Sequence, residues 1–179
     1  AAAWNRRSSA PVRVSVNLSA RQVAGGQMPA LVNAALEVNG LDPDLVCLEI
    51  TESLLVDETE EVERVLQELA ATGVRLAIDD FGTGYSSLAY LKKFPVDVVK
   101  IDQSFVAGIE REGDSRAIVE AIVGLAQSLG LHTVGEGVET PAQLRVLRDM
   151  GCEFAQGFYV AKPVPPEAFV DLIEGTGIR

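Results

Sequence analysis

Histidine is nearly absent from this sequence, with His132 alone. Cysteine occurs twice, and basic residues are outnumbered, 15 Lys and Arg against 26 Asp and Glu. Each shortage excludes something. Cys47 and Cys152 have no metal-ligand spacing and build no disulfide framework, so the expected setting is a reducing cytosol with both as small buried residues. The formal charge of −11 argues against a nucleic-acid polymer as partner, since such binding needs a basic stripe. A small phosphate-bearing ligand stays open, provided that metal ions reverse the local sign. No apolar run reaches the length of a membrane span and no charged-then-apolar leader is present. A cytoplasmic location without membrane contact from this segment is therefore expected. An initiator methionine is lacking too, with Ala1 standing first, which leads us to expect a fragment or excised domain.

What is present suits one domain of 179 residues, 47% of them apolar, with a substantial core. Its centre is the stretch Ile78-Asp79-Asp80-Phe81-Gly82-Thr83-Gly84-Tyr85-Ser86-Ser87. A hydrophobic run from Val74 ends in two adjacent carboxylates and a loop rich in Gly and hydroxyls. Two neighbouring anions resist burial unless a cation sits between them. Paired carboxylates are the preferred ligands of hard divalent metals such as Mg, Mn or Ca. Alone, the stretch could also be a solvated Asp-Asp turn.

Periodicity predicts six strands alternating with helices. Val12 to Leu18 alternates, with Val12, Val14, Val16 and Leu18 on one face and Ser15 and Asn17 on the other. Val46 to Glu52 follows, with Val46, Leu48 and Ile50 opposite Cys47, Glu49 and Thr51. The third strand carries Asp79-Asp80, and the fourth, Asp97 to Asp102, puts Val98, Lys100 and Asp102 on one face. Leu131 to Glu139 is the fifth, with Glu136 near its end, and Glu153 to Phe158 the sixth. The helices fall at about Met28 to Val38, Asp57 to Ala71, Leu88 to Leu91, Asp114 to Leu129, Pro141 to Met150 and Pro166 to Ile173. Asn39-Gly40, Gly73 and Gly130 mark helix ends, and Pro141 a start. Ala1 to Trp4 has the character of a helix tail.

This rhythm means a parallel sheet, doubly wound or rolled into a barrel. Asn17, Glu49, Asp79, Lys100, Asp102 and Glu136 all fall at C-terminal strand ends, with Asn17, Glu49 and Asp79 out of phase with the large aliphatics. Polar residues converging from several strands at one rim favour a (β/α) TIM-type barrel over a single switch point. Six strands do not close an eight-stranded barrel, so the expectation is a barrel truncated on its N-terminal side.

Six motifs occur in order: Asn17-Leu18-Ser19, Glu49-Ile50-Thr51-Glu52, Asp79 to Ser87, Lys100-Ile101-Asp102, Glu136-Gly137-Val138-Glu139 and Gln156-Gly157-Phe158. Together they resemble the EAL-domain family of cyclic-di-GMP phosphodiesterases, over essentially the whole chain. The resemblance implies that residues 1–179 are the C-terminal three quarters of one such domain. It also implies an upstream strand pair with the Glu-Ala-Leu motif, which is not in this sequence.

The resemblance further implies two divalent metal ions, Mg or Mn. Asn17, Glu49 and Asp79 resemble ligands of the first; Asp79 would bridge to the second, with Asp80 and Glu136 nearby. Such ions lower the pKa of water and offset charge in an in-line displacement. Lys100, with its same-face neighbour Asp102, would orient the attacking hydroxide, and Glu136 joins them in the catalytic set. Glu52 resembles the anchor of the Phe81 to Ser87 loop. Glu139 and Gln156 line the rim, Gln156 as a substrate contact, and the product would be the linear guanine dinucleotide pGpG. A homodimer and upstream sensory or GGDEF domains are implied as partners.

Each residue taken singly has a plainer account. Glu49 and Glu52 could be helix N-terminal acids, Lys100 and Asp102 a surface ion pair, and Glu136 a turn residue. The acids between Glu58 and Glu68 suit a solvated helix face, and His132, at the start of its strand, is expected to be structural. Three functions stay open: a metal-dependent phosphodiesterase, a cyclic-di-GMP receptor without turnover, and an interaction module. Retention of Asp79, Asp80, Lys100 and Glu136 favours the first for the whole domain. The missing Glu favours the others for this chain alone, which is expected to self-associate and hydrolyse its substrate poorly.

Overall fold

The structure is a computed structural model that describes residues 2–5, 11–56, 59–84, 88–111, 113–169 and 172. In chain order its elements are α1 (Ala2–Asn5), β1 (Val14–Asn17), α2 (Ala20–Ala24), α3 (Met28–Asn39), β2 (Val46–Thr51), α4 (Glu52–Val56), α5 (Glu60–Ala71) and β3 (Arg75–Phe81). Then follow α6 (Leu88–Lys93), β4 (Val98–Ile101), α7 (Gln103–Val106), α8 (Asp114–Leu129), β5 (His132–Gly135), α9 (Pro141–Asp149) and β6 (Phe154–Ala155). Residues 166–169 are helical, and most of the rest of the helix expected to Ile173 lies outside the described residues.

All six strands pair in parallel in the order β1 to β6. A strand order that never reverses has no switch point, so the doubly wound alternative fails. The sheet curls, because one 140 Å³ cavity is lined from every strand or its flank: Ser15, Cys47, Ala77, Val98, Val134 and Phe154 among others. This is a partial TIM-type barrel. Its outer face is aliphatic, with Leu48, Ile50, Leu76, Ile78, Val99 and Ile101 all buried. Against that face pack Val65, Leu66 and Leu69 of α5 and Val119, Val123 and Ala126 of α8. Outward aliphatics leave the inward positions to polar groups, and so fix where chemistry can occur.

Two expectations are corrected. The helix predicted from Asp57 starts at Glu60, because the Thr59 hydroxyl caps it by accepting from the Val62 N–H at 3.2 Å; Asp57 and Glu58 lie outside the described residues. Val16 is 49% exposed. No strand lies beyond β1 among the described residues, and Val14, Val16 and Leu18 line an open apolar groove with Leu31, Val32 and Leu36 of α3. Both cysteines are free and half-buried rather than buried; burial pushes the Cys47 thiol up to about 11. No described helix is long and apolar enough to cross a membrane.

Candidate active site

Alternation along β2, β3 and β4 turns Glu49, Asp79 and Lys100 inward near the C-terminal rim. Their side chains meet there. Lys100 Nζ lies 2.8 Å from Glu49 Oε2, 2.7 Å from Asp79 Oδ1 and 2.8 Å from Oε1 of Glu136, just beyond β5. The ammonium is buried, and Glu49 is nearly so. Burial alone would depress the Lys100 pKa, but hydrogen bonds to Asp79, Glu136 and Glu49 outweigh it and hold the pKa above the ordinary lysine value. Burial raises the Glu136 carboxyl, with Lys100 opposing and the Asp79 and Glu49 charges adding to the rise.

Strict alternation would send Asp80 to the outer face, away from Asp79. The backbone prevents this with a bulge: Ile78 pairs with Val99 but Phe81 pairs with Ile101, so β3 holds one extra residue. Asp80 absorbs the irregularity at φ 54°, a left-handed conformation that Asp tolerates better than most residues. Consequently Asp79, Asp80 and Glu136 each present a carboxylate oxygen within 4.8 Å of the other two. Three hard oxygen donors at that separation fit a divalent cation. Burial and the neighbouring Asp79 and Asp102 charges raise the Asp80 carboxyl, which marks a site short of positive charge.

Asp102 does not reach Lys100 as expected. β4 ends at Ile101, and Asp102 instead caps α7, accepting from the Ser104 N–H at 2.9 Å. Its carboxyl meets Asp80. Desolvation pushes the Asp102 pKa up, but hydrogen bonds, Ser104 first, bring it below the usual range.

Glu52, nearly fully buried, begins α4 directly behind β2. Its Oε2 accepts from the Gly82 N–H at 3.1 Å and the Gly84 N–H at 3.4 Å, tying the start of the loop to the rim. Tyr85, Ser86 and Ser87 lie outside the described residues. Glu139 and Gln156 line a 280 Å³ cleft with Asp80, Asp102, Gln103, Glu136 and Phe158. Asn17 pairs in register with Glu49, yet its side chain makes no hydrogen bond to Glu49, Asp79, Asp80, Lys100 or Glu136. His132 Nδ1 contacts Glu153 Oε2 at 2.5 Å at the opposite end of its strand, as its structural assignment expects.

Gln143 escaped the sequence reading. Its buried Oε1 accepts from the backbone N–H of Glu139 at 2.7 Å and of Thr140 at 3.0 Å, which holds the Glu136 to Glu139 turn in place. The signal was there in Thr140-Pro-Ala-Gln143, a capping box at the start of α9.

The chain matches the EAL domain family over residues 1–163. Among curated relatives it is 43% identical, over 92% of its length, to the bifunctional diguanylate cyclase/cyclic di-GMP phosphodiesterase MucR of Pseudomonas aeruginosa, covering 24% of that protein. Among solved structures, the PaMucR phosphodiesterase in complex with c-di-GMP is 42% identical with a TM-score of 0.88, matching 94% of this chain and 68% of that one. The EAL domain of Mycobacterium smegmatis DcpA is 38% identical with a TM-score of 0.90, matching 97% and 78%. The chain spans 20% to 24% of the length of the first curated relatives it matches. A match over nearly the whole chain in sequence and in backbone path has one meaning: this chain belongs to the EAL domain family.

Proposed function

We propose that this chain is the greater part of a metal-dependent phosphodiesterase domain that hydrolyses cyclic-di-GMP to linear pGpG. One observation carries the reading. The rim gathers Glu49, Asp79, Asp80, Asp102, Glu136 and Glu139 around a single ammonium, Lys100. An anionic phosphodiester cannot approach so many carboxylates unless cations offset them. Asp79, Asp80 and Glu136 would hold a divalent cation, Mg or Mn, and Glu49 and Asn17 flank a place for a second. When bound, such ions make water acidic enough to attack a phosphodiester and neutralise charge on the phosphoryl oxygens.

The chain's own residues do the rest. Lys100 keeps Glu49, Asp79 and Glu136 in register and presents its charge where negative charge grows in the transition state. Asp102 fixes α7 and meets Asp80, and Glu52 sets the start of the loop over the site. Gln156 and Glu139 offer amide and carboxylate contacts to the nucleotide. The two free cysteines and the absence of any described membrane-length helix suit a cytoplasmic protein, and MucR, with its two named activities, suggests a cyclase or sensory domain beside this one.

The test is product formation from cyclic-di-GMP in Mn or Mg, run beside a binding titration on the protein that carries this chain. The expected result is pGpG that appears with either metal and stops with a chelator. Binding without turnover would make the domain a receptor; neither would leave an interaction module. The exposed groove along β1 adds a second expectation. Apolar parallel edges find other chains, so residues 1–179 alone should scatter light as a dimer or larger. A monodisperse monomer would overturn it.

A further inference from the structure

Asp79 and Asp80 ride on β3, a strand paired along both edges, but Glu136 stands one residue past the end of β5. Its carboxylate shares the cation-sized triangle with theirs. The turn that carries it, residues 136–140, lies in no helix or strand, so its backbone must be fixed by other means. The Glu136 N–H donates to the Ile101 carbonyl at 3.1 Å, and the Val138 N–H to the Gln156 carbonyl at 3.0 Å. The last two donors, of Glu139 and Thr140, both go to one atom, Gln143 Oε1, at 2.7 and 3.0 Å. Between these ties Gly137 takes a left-handed φ of 65°, which bends the chain directly after Glu136.

Capping a helix does not require so much of a glutamine. The chain has a second capping box, Ser19 and Gln22 on α2. There the glutamine is exposed and accepts only from Ser19, from its N–H at 3.0 Å and its hydroxyl at 2.7 Å. Gln143 is buried, and its shorter bond goes one residue beyond its box, to Glu139. It neither lines the cleft nor bonds Lys100. We infer that Gln143 is a positioning residue for the metal-dependent reaction. By holding Glu139 and Thr140 it keeps the Glu136 carboxylate where a divalent cation can take it together with Asp79 and Asp80. Without that acceptor two partly buried N–H groups lose their partner, and a turn that shifts to rehydrate them carries Glu136 with it.

This inference rests on the metal-dependent reading of the site, and its first measurement needs no substrate. Mn alone is titrated calorimetrically into the protein that carries this chain. Gln143→Met, unbranched and of similar volume, should weaken Mn binding about 10- to 100-fold, the scale for a lost partner behind a metal ligand. Gln143→Glu keeps the acceptor and should bind Mn near the parent value. Gln22→Met, which breaks the other capping box, should do the same. If Gln143→Met does not fold, Gln143→Asn, whose shorter amide falls short of the Glu139 N–H, carries its expectation. The Mn concentration for half-maximal cyclic-di-GMP turnover should rise by the factor of the lost affinity. Unchanged Mn affinity in Gln143→Met, or an equal loss in Gln143→Glu or Gln22→Met, overturns the positioning role and leaves the metal reading standing. A parent that binds no Mn overturns both, and one that binds Mn without turnover overturns hydrolysis alone.

Discussion

Asp79→Ala should erase the stabilisation that Mn or Mg confers and reduce cyclic-di-GMP turnover by about 10²- to 10³-fold, the scale seen when a preorganised transition-state contact is removed. Asp79 holds the most connected place in the cluster. One of its oxygens takes the Lys100 ammonium at 2.7 Å, and it shares the cation-sized triangle with Asp80 and Glu136. A cation that binds only the folded state stabilises by about 2.7 kcal/mol at a hundred times its Kd, and that increment is what the variant should lose. Without metal the two proteins should melt nearly alike, because Lys100 keeps Glu49 and Glu136 as partners and the cluster sheds one repelling charge. The contrast separates a ligand from a structural prop. Equal metal-dependent shifts in melting temperature for parent and variant would refute the assignment.

The fold was legible because its periodicity is simple. Aliphatic residues at every second place in β2, β3 and β4 mark an outer face, and polar residues between them mark the inner one. The αL glycine at Gly130 ended α8 where expected. What was missed had local causes. α2 is short and hides behind the capping box of Ser19 and Gln22, and α4 starts at Glu52 with no turn residue after β2. The site was harder. Side-chain alternation places Asp79 inward, but nothing in the sequence announces the bulge that returns Asp80 to the same rim. Sharing a face with Lys100 suggested Asp102 as its partner, yet the strand stops one residue earlier. The true partners are Glu49, 51 residues away in the chain, Asp79, 21 away, and Glu136 beyond the next strand. Contacts of that range depend on strand order and curl, which local patterns do not encode.

Lys100→Ala should show the opposite pattern to Asp79→Ala. Lys100 is 4% exposed and its ammonium is bonded to three carboxylates. Removing it leaves Glu49, Asp79 and Glu136 crowded and uncompensated, and breaking a buried ion pair from one side costs about 3–5 kcal/mol. The metal-free variant should therefore unfold at lower urea than the parent. Added Mn should recover more stability in the variant than in the parent, because the cation takes over the missing charge. Turnover should not recover with it. A cation that repairs the charge balance does not restore an ammonium aimed at the reacting oxygens, so kcat should stay about a hundredfold or more below the parent even at saturating Mn. Affinity for cyclic-di-GMP should change by a much smaller factor, since an interaction made in the transition state lowers kcat without weakening the ground-state complex. Urea melts with and without Mn, read beside kcat and a binding constant from the same preparation, resolve the three effects. Equal losses of binding and rate would recast Lys100 as a substrate anchor. An unshifted metal-free melt would show that the carboxylates tolerate one another without it.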